Sequence, residues 1–257
     1  MLQPGEVDVY LARIGYQGAR APTLHTLRAL HRAHLASVPF ENLDIHAGRR
    51  IHLDRAAFFR KVVGERRGGF CYELNGLFAE LLTSLGFAVT LLSARVARRD
   101  GGFGPDFDHM TLLVDLERRW IADVGFGRCF EEPLALGDPA EQESDGTLYR
   151  TVPDGDGWRL ESRAPGGAPA PEYVFELVPR ALEEFAGMCE FHQTSPESHF
   201  TRQTVCSLPR PGGGRVTLSG HTLVETVHGD RRETPLADDR AVDVALLERF
   251  GVRLPTR

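Results

Sequence analysis

The chain has 257 residues, 42% of them hydrophobic, and a formal net charge of −6, which is enough apolar material for two or three small domains or one large one. An acidic balance with no clustered basic stretch argues against a nucleic-acid surface, and no apolar run approaches the length of a membrane span. The start, Met1-Leu2-Gln3-Pro4-Gly5-Glu6, lacks a basic-then-apolar leader, and Cys71, Cys129, Cys189 and Cys206 are scattered without CxxC pairs, so free thiols in a reducing cytoplasm fit better than a disulfide framework or a zinc site.

The first 86 residues read as helical. Val7, Tyr10, Leu11 and Ile14 begin an amphipathic helix that Gly15 and Gly18 stop, and Thr23 caps a second helix carrying Leu24, Leu27, Leu30 and Leu35. Pro39 breaks the chain within Ser37–Leu43. Asp54 caps a third helix through Ala57, Phe58, Phe59, Val62 and Val63, ending at Gly64. Lys61, inside it, is the only lysine of the chain and reads as codon usage with no mechanistic content. A fourth helix follows Cys71, with Leu74, Leu77, Phe78, Leu81, Leu82 and Leu85 at steps of three and four and Gly86 as its C-terminal cap.

From about residue 88 the apolar period falls from near four to two. Strands are expected at 89–96, 109–116 and 120–124, the last two joined by a charged turn at Glu117-Arg118-Arg119 as an antiparallel pair. Residues 149–152 and 158–161 flank an Asp-Gly-Asp-Gly turn, another hairpin signal, and 173–177 returns as a strand. A short helix at 180–190 precedes a meander at 204–208, 215–218 and 222–227, and a final helix runs from Val242 to Phe250. Helices, then strands, then a mixed segment make an α+β chain.

Gly68-Gly69 forms a tight turn that puts Cys71 in the first turn of its helix, where unpaired backbone N–H groups and the positive end of the helix dipole stabilise an anion. A thiol so placed is expected to have a lowered pKa. The plain alternative is a small buried hydrophobe. A cysteine nucleophile needs a base, and the base needs a third group to orient it. His109 begins an alternating strand after a Gly-rich loop; Asp123 ends the next strand. Hairpin pairing sets residue 109 opposite the mid-120s, so the Asp123 carboxylate is expected to hold the Nδ1–H of His109.

Here the residues carry a resemblance. Arg67-Gly68-Gly69-Phe70-Cys71-Tyr72-Glu73-Leu74-Asn75, then His109, then Asp123-Val124-Gly125-Phe126-Gly127 resemble the signatures of the arylamine N-acetyltransferases. The likeness extends to Pro39-Phe40-Glu41-Asn42-Leu43 and to the run from Phe191 to Phe200. The fold it implies is a helical bundle at 1–86 carrying the nucleophile, a β-barrel at 87–190 carrying His and Asp, and an α/β lid at 191–257, around a transglutaminase-like Cys-His-Asp core.

Carried over by position, the resemblance implies catalytic Cys71, His109 and Asp123, aromatic pocket walls at Phe40, Phe126 and Phe200, and a glycine turn at Gly125 and Gly127 that admits the backbone approach of CoA. No metal is implied. It further implies ping-pong acetyl transfer from acetyl-CoA to an aromatic amine, hydrazine or N-hydroxyarylamine, in a cytoplasmic monomer or homodimer with no nucleic-acid or membrane partner. Arg67 is expected to pair with Glu41, and Glu73 and Asn75 to serve structure near the site. Asp108, the other cysteines and the remaining histidines read as background, and the Gly101–Phe107 loop matches no feature of the family. Two readings within this chemistry stay open: an amide synthase of the same fold closing macrolactams in polyketide biosynthesis, and a transglutaminase-like cysteine hydrolase.

Overall fold

A computed structural model describes residues 1–210, 213–227 and 230–254. Helix α1 (Pro4–Arg13) opens on a proline at the position where a missing N–H costs nothing, and Gly15, at φ +67°, turns the chain away from it. Helix α2 (Leu24–Ser37) is capped by Thr23, whose hydroxyl accepts the N–H of Thr26. A two-residue strand, β1 (Phe40–Glu41), and a single turn, α3 (Leu43–His46), follow the Pro39 break. Helix α4 (Arg55–Phe59), capped by Asp54, runs into one π-helical turn, Arg60–Gly64. The wider turn leaves Lys61, Val62 and Val63 all buried.

Helix α5 (Cys71–Ser84) is the centre of the molecule, buried from Cys71 through Ala79 with almost no exposed face. It packs against α1 and α4 on one side and against the first barrel strands on the other. Gly86, at φ +89°, ends it as expected.

Eight strands follow: β2 (Ala88–Val96), β3 (His109–Asp115), β4 (Arg119–Ala122), β5 (Leu134–Ala135), β6 (Gln142–Ser144), β7 (Thr147–Asp154), β8 (Gly157–Arg163) and β9 (Ala170–Phe175). They form one antiparallel sheet in the order β5-β4-β3-β2-β9-β8-β7-β6. Its two ends meet through side chains: Ala135 N–H donates to Gln142 at 3.0 Å and Gly137 N–H to Thr151 at 2.8 Å, so the sheet is a nearly closed barrel. Leu92, Leu113, Ile121, Phe130, Leu160 and Tyr173 fill its interior, while Leu112, Val114 and Ala122 face out into the helical core. Strand β3 is therefore covered on both faces and buried from His109 to Val114; its alternation separates two apolar cores, where a solvated sheet would separate core from water.

After a 3₁₀ turn (Leu182–Phe185) come α6 (Ala186–Thr194) and α7 (His199–Arg202). Strands β10 (Val205–Pro209), β11 (Arg215–Ser219), β12 (Thr222–Val227) and β13 (Asp230–Pro235) then form a meander backed by α8 (Asp239–Phe250). The sheet order is β1-β10-β11-β12-β13, so Phe40 and Glu41 pair with Ser207 and Cys206 and tie the first part of the chain to the last. Strands β1, β5, β6 and β13 have no counterpart in the sequence reading. Residues 255–257, the end of the expected lid segment, lie outside the described residues. Among the described residues no helix is long and apolar enough to cross a membrane.

Candidate active site

The turn that delivers Cys71 is built against β1. Glu41 N–H donates to the Gly69 carbonyl at 2.8 Å, and a side chain at Gly68 would put its Cβ 1.9 Å from the Pro39 carbonyl oxygen, so only glycine fits there. Phe70, the residue before α5, has no side-chain acceptor to offer; Glu73 reaches back instead and accepts the Phe70 N–H at 3.2 Å. Arg67 is wholly buried and pairs with Glu41 (Nε–Oε1 3.0 Å), as expected, and also with Asp44 at 3.0 Å. Lys61 corrects its own reading: the sole lysine is buried, with Nζ 2.9 Å from Glu73, 3.0 Å from Asp44 and 3.9 Å from Glu41. A compact ammonium that meets three carboxylates is a structural requirement and not codon usage.

His109 opens β3, and the β3–β4 register, Leu112 opposite Ala122 and Leu113 opposite Ile121, carries the chain to Asp123 just beyond the end of β4. The two side chains meet at 2.6 Å. The contact is made by Nε2, where the sequence reading expected Nδ1, so Nδ1 is the nitrogen left free of Asp123. The Cys71 thiol lies near the backbone of Met110, the residue after His109, and shares a buried cluster with Met110, Phe70, Tyr72 and Phe200.

Asp123 is almost fully buried and its carboxylate accepts four hydrogen bonds: from Asn75 Nδ2 (2.8 Å) and Gly125 N–H (3.0 Å) on one oxygen, and from His109 (2.6 Å) and Tyr173 O–H (3.1 Å) on the other. Burial alone would raise its pKa, but the adjoining His109 and the donated bonds outweigh burial and hold it below the usual carboxylate range. Asn75 also donates to the Met110 carbonyl at 2.6 Å and accepts the Val124 N–H at 2.8 Å, so one amide joins α5 to β3 and to the Asp123 loop.

The thiol itself departs from expectation. Burial pushes Cys71 well above the ordinary cysteine value; the nearby Met110 backbone pulls it down without prevailing, and the charge of Asp123 adds to the rise. At this depth desolvation outweighs what a helix start supplies, which is why the direction is opposite to the one expected from the position of Cys71 in its helix.

The expected aromatic walls fall in two groups, of which one meets His109. Phe126 stands edge-on to the imidazole at 5.0 Å and to Tyr173 at 5.2 Å. Phe40 and Phe200 lie 6.1 Å apart, and Phe200 packs on Phe70 at 5.8 Å. Gly127, at φ +88°, faces the Phe40 ring, which an added Cβ would approach to 3.3 Å. Gly125 lies against the nucleophile's own backbone: an added Cβ would sit 2.8 Å from both Cys71 Cα and Asn75 Nδ2.

The sequence reading gave no role to three groups here: it set Asp108 and the remaining histidines down as background and left Tyr173 as a strand residue. His31 accepts the Asp123 backbone N–H, Tyr173 reaches Asp123 from β9, and Asp108 pairs with His192 at 3.3 Å. The Gly101–Phe107 loop is tied in as well, since Phe107, at φ +64°, donates its N–H to Ser93 and accepts the Tyr72 hydroxyl, both at 2.7 Å. None of these has a periodic signature. The only available hint was the position of His192 inside the run from Phe191 to Phe200.

Comparison with known proteins gives the site its context. The N-acetyltransferase family model matches residues 23–257. The arylamine N-acetyltransferase of Escherichia coli is 35% identical, covering 95% of this chain and 87% of its own length. The solved arylamine N-acetyltransferase from Salmonella typhimurium superposes with a TM-score of 0.93 at 32% identity, over 99% of this chain and 94% of that one. The Mycobacterium marinum enzyme, solved in complex with CoA, does so with 0.87 at 33%, over 96% and 92%. Matched along nearly its whole length in both sequence and backbone, the chain belongs to the arylamine N-acetyltransferase family, acyltransferases whose acyl donor is acetyl-CoA.

Proposed function

We propose that this chain moves an acetyl group by a ping-pong route, through an acyl-Cys71 intermediate, to aromatic amines, hydrazines or N-hydroxyarylamines. The observation that carries the reading is the 2.6 Å contact between His109 Nε2 and a buried Asp123 carboxylate whose remaining positions are already filled by fixed donors. Such a carboxylate orients the imidazole and stabilises the imidazolium without taking the proton itself. In the first half-reaction the other ring nitrogen takes the Cys71 proton and the thiolate adds to the thioester carbonyl. Backbone N–H groups at the start of α5, that of Cys71 among them, hold the oxyanion, and the tetrahedral adduct expels CoA thiolate, which leaves with the proton from His109. In the second, the amine adds to the acyl-Cys71 carbonyl, His109 accepts its proton, and Cys71 sulfur departs. A weakly basic aromatic amine stays unprotonated at neutral pH and so keeps its nucleophilic lone pair.

In this reading Phe40, Phe126 and Phe200 stack the flat acceptor, and Gly125 and Gly127 let CoA approach the backbone. Residues 1–86 supply the nucleophile, 87–190 its base and carboxylate, and 191–257 the lid. The test is intact-mass and peptide analysis after acetyl-CoA alone. One acetyl group on the Cys71 peptide, removed when an aniline or hydrazine is added, is the expected result, with no label in Cys71→Ser. Amine-dependent CoA release that never acetylates Cys71 would sink the acyl-enzyme route, and CoA release that ignores amine would sink the acceptor class.

A further inference from the structure

His31 belongs to α2, a helix with no part in the chemistry above, and its ring is fully buried. Nδ1 lies 2.8 Å from the carbonyl oxygen of Glu131, which only accepts, so that nitrogen carries the proton. Nε2 is then a bare acceptor, and it takes the backbone N–H of Asp123 at 3.1 Å. The ring stacks on Phe130 with centroids 5.8 Å apart and an interplanar angle of 16°, and meets Phe78 edge-on at 6.0 Å, so aromatic rings pack it on two sides.

The two bonds admit one tautomer and one charge state. A proton on Nε2 would set N–H against N–H. Burial keeps that proton off, pushing His31 down to about 4 against the opposing pull of Asp123 and Glu132. His34, also in α2 and fully buried, is likewise lowered by burial and adds no carboxylate to the surroundings. The peptide that His31 holds is the one whose side chain holds His109 at 2.6 Å, and a bond that short weakens steeply with misalignment.

We propose that His31 is a positioning residue for acyl transfer: its Nε2 pins the backbone of Asp123 so that the carboxylate stays on His109 while the imidazolium forms. This rests on the roles given above to Asp123 and His109, and it is tested by two measurements that need no acetyl-CoA turnover. In wild-type protein, ring ¹⁵N shifts should show His31 neutral and Nδ1-protonated from about pH 5 to about pH 9; an Nε2-protonated or charged ring in that range overturns the proposal.

In His31→Phe, which keeps a stacked ring and removes the acceptor, the pH midpoint for alkylation of Cys71 by iodoacetamide should rise by about one unit. Acetylation of Cys71 by acetyl-CoA at neutral pH should slow about tenfold, with KM for acetyl-CoA unchanged. A lower melting temperature with an unmoved alkylation midpoint makes His31 ordinary core and overturns the proposal. Should His31→Phe fail to fold, His31→Asn replaces it, because the shorter amide keeps a polar group in place yet falls short of the Asp123 N–H; the same shift supports and its absence overturns. A shifted midpoint in a protein that acetyl-CoA never labels leaves the His31 assignment standing and removes the acyl-transfer reading.

Discussion

Two buried charge networks flank the first turn of α5, and they are balanced differently. Around Asp123 a single carboxylate meets four donors, of which only His109 can carry charge, and the group stays below its ordinary range despite full burial. Behind the turn, Glu41, Asp44 and Glu73 face two buried cations, Lys61 and Arg67. Among its buried groups the second network has an anion in excess, with the partly exposed Arg49 3.8 Å from Asp44 at its edge. Burial, reinforced by Glu41 and Asp44 and only partly offset by Lys61, pushes Glu73 up to about 7. The difference teaches where the molecule can tolerate an uncompensated proton. The carboxylate beside His109 is donated to on both oxygens by fixed groups, whereas Glu73, which accepts the Phe70 N–H at the helix start, sits among other carboxylates that raise its affinity for a proton.

The largest effect is expected where the comparison is broken at Asp123. Asp123→Asn keeps the shape but removes the charge, and amine-dependent CoA release should fall about a thousand- to ten-thousandfold; a loss within about tenfold would mean that His109 does not depend on that carboxylate. Next comes the other network. Lys61→Met leaves three carboxylates opposite Arg67 and should cost about 3–5 kcal/mol in urea unfolding, while a cost under about 1 kcal/mol would mean that the cluster absorbs the change by protonating Glu73.

A smaller effect tests how closely the Asp123 loop must lie on α5. In Gly125→Ala the new methyl meets Cys71 Cα and Asn75 at 2.8 Å, so unfolding should become easier by about 1–3 kcal/mol, with a loss of activity in excess of the loss of folded protein. Unchanged activity per folded molecule would separate the loop from the chemistry.

The smallest effect is a slope. Glu73 has a folded pKa raised from 4.5 to about 7, so the folded state binds the extra proton; its contribution to stability is complete below 4.5 and is lost as pH rises through about 7. Asp123, lowered from 3.8, acts with the opposite sign: its contribution is present above 3.8 and lost as pH falls below it. Glu73→Gln should therefore flatten the decline of the melting temperature between pH 4.5 and about 7 and leave the acid side untouched. A decline as steep as in wild type would assign that slope to another group.

Much of this could be read without coordinates. The apolar stripe from Leu74 to Leu85, its glycine stop at Gly86 and the Gly68-Gly69 turn ahead of Cys71 are local facts, because side-chain period and backbone freedom act within a few residues. The β3–β4 pairing that sets His109 near Asp123 is nearly as local, since a short hairpin fixes its own register. What the tertiary structure alone decided lies between segments with no shared pattern. It chose the ring nitrogen of His109 that meets Asp123, and it brought Tyr173 and His31 to that carboxylate and its backbone from 50 and 92 residues away. It added the two residues of β1 to a sheet made of the chain's last quarter and set Lys61 among three carboxylates. It also reversed the expected shift of the Cys71 thiol, because ionisation answers to desolvation, and the depth of a group is a property of everything packed around it.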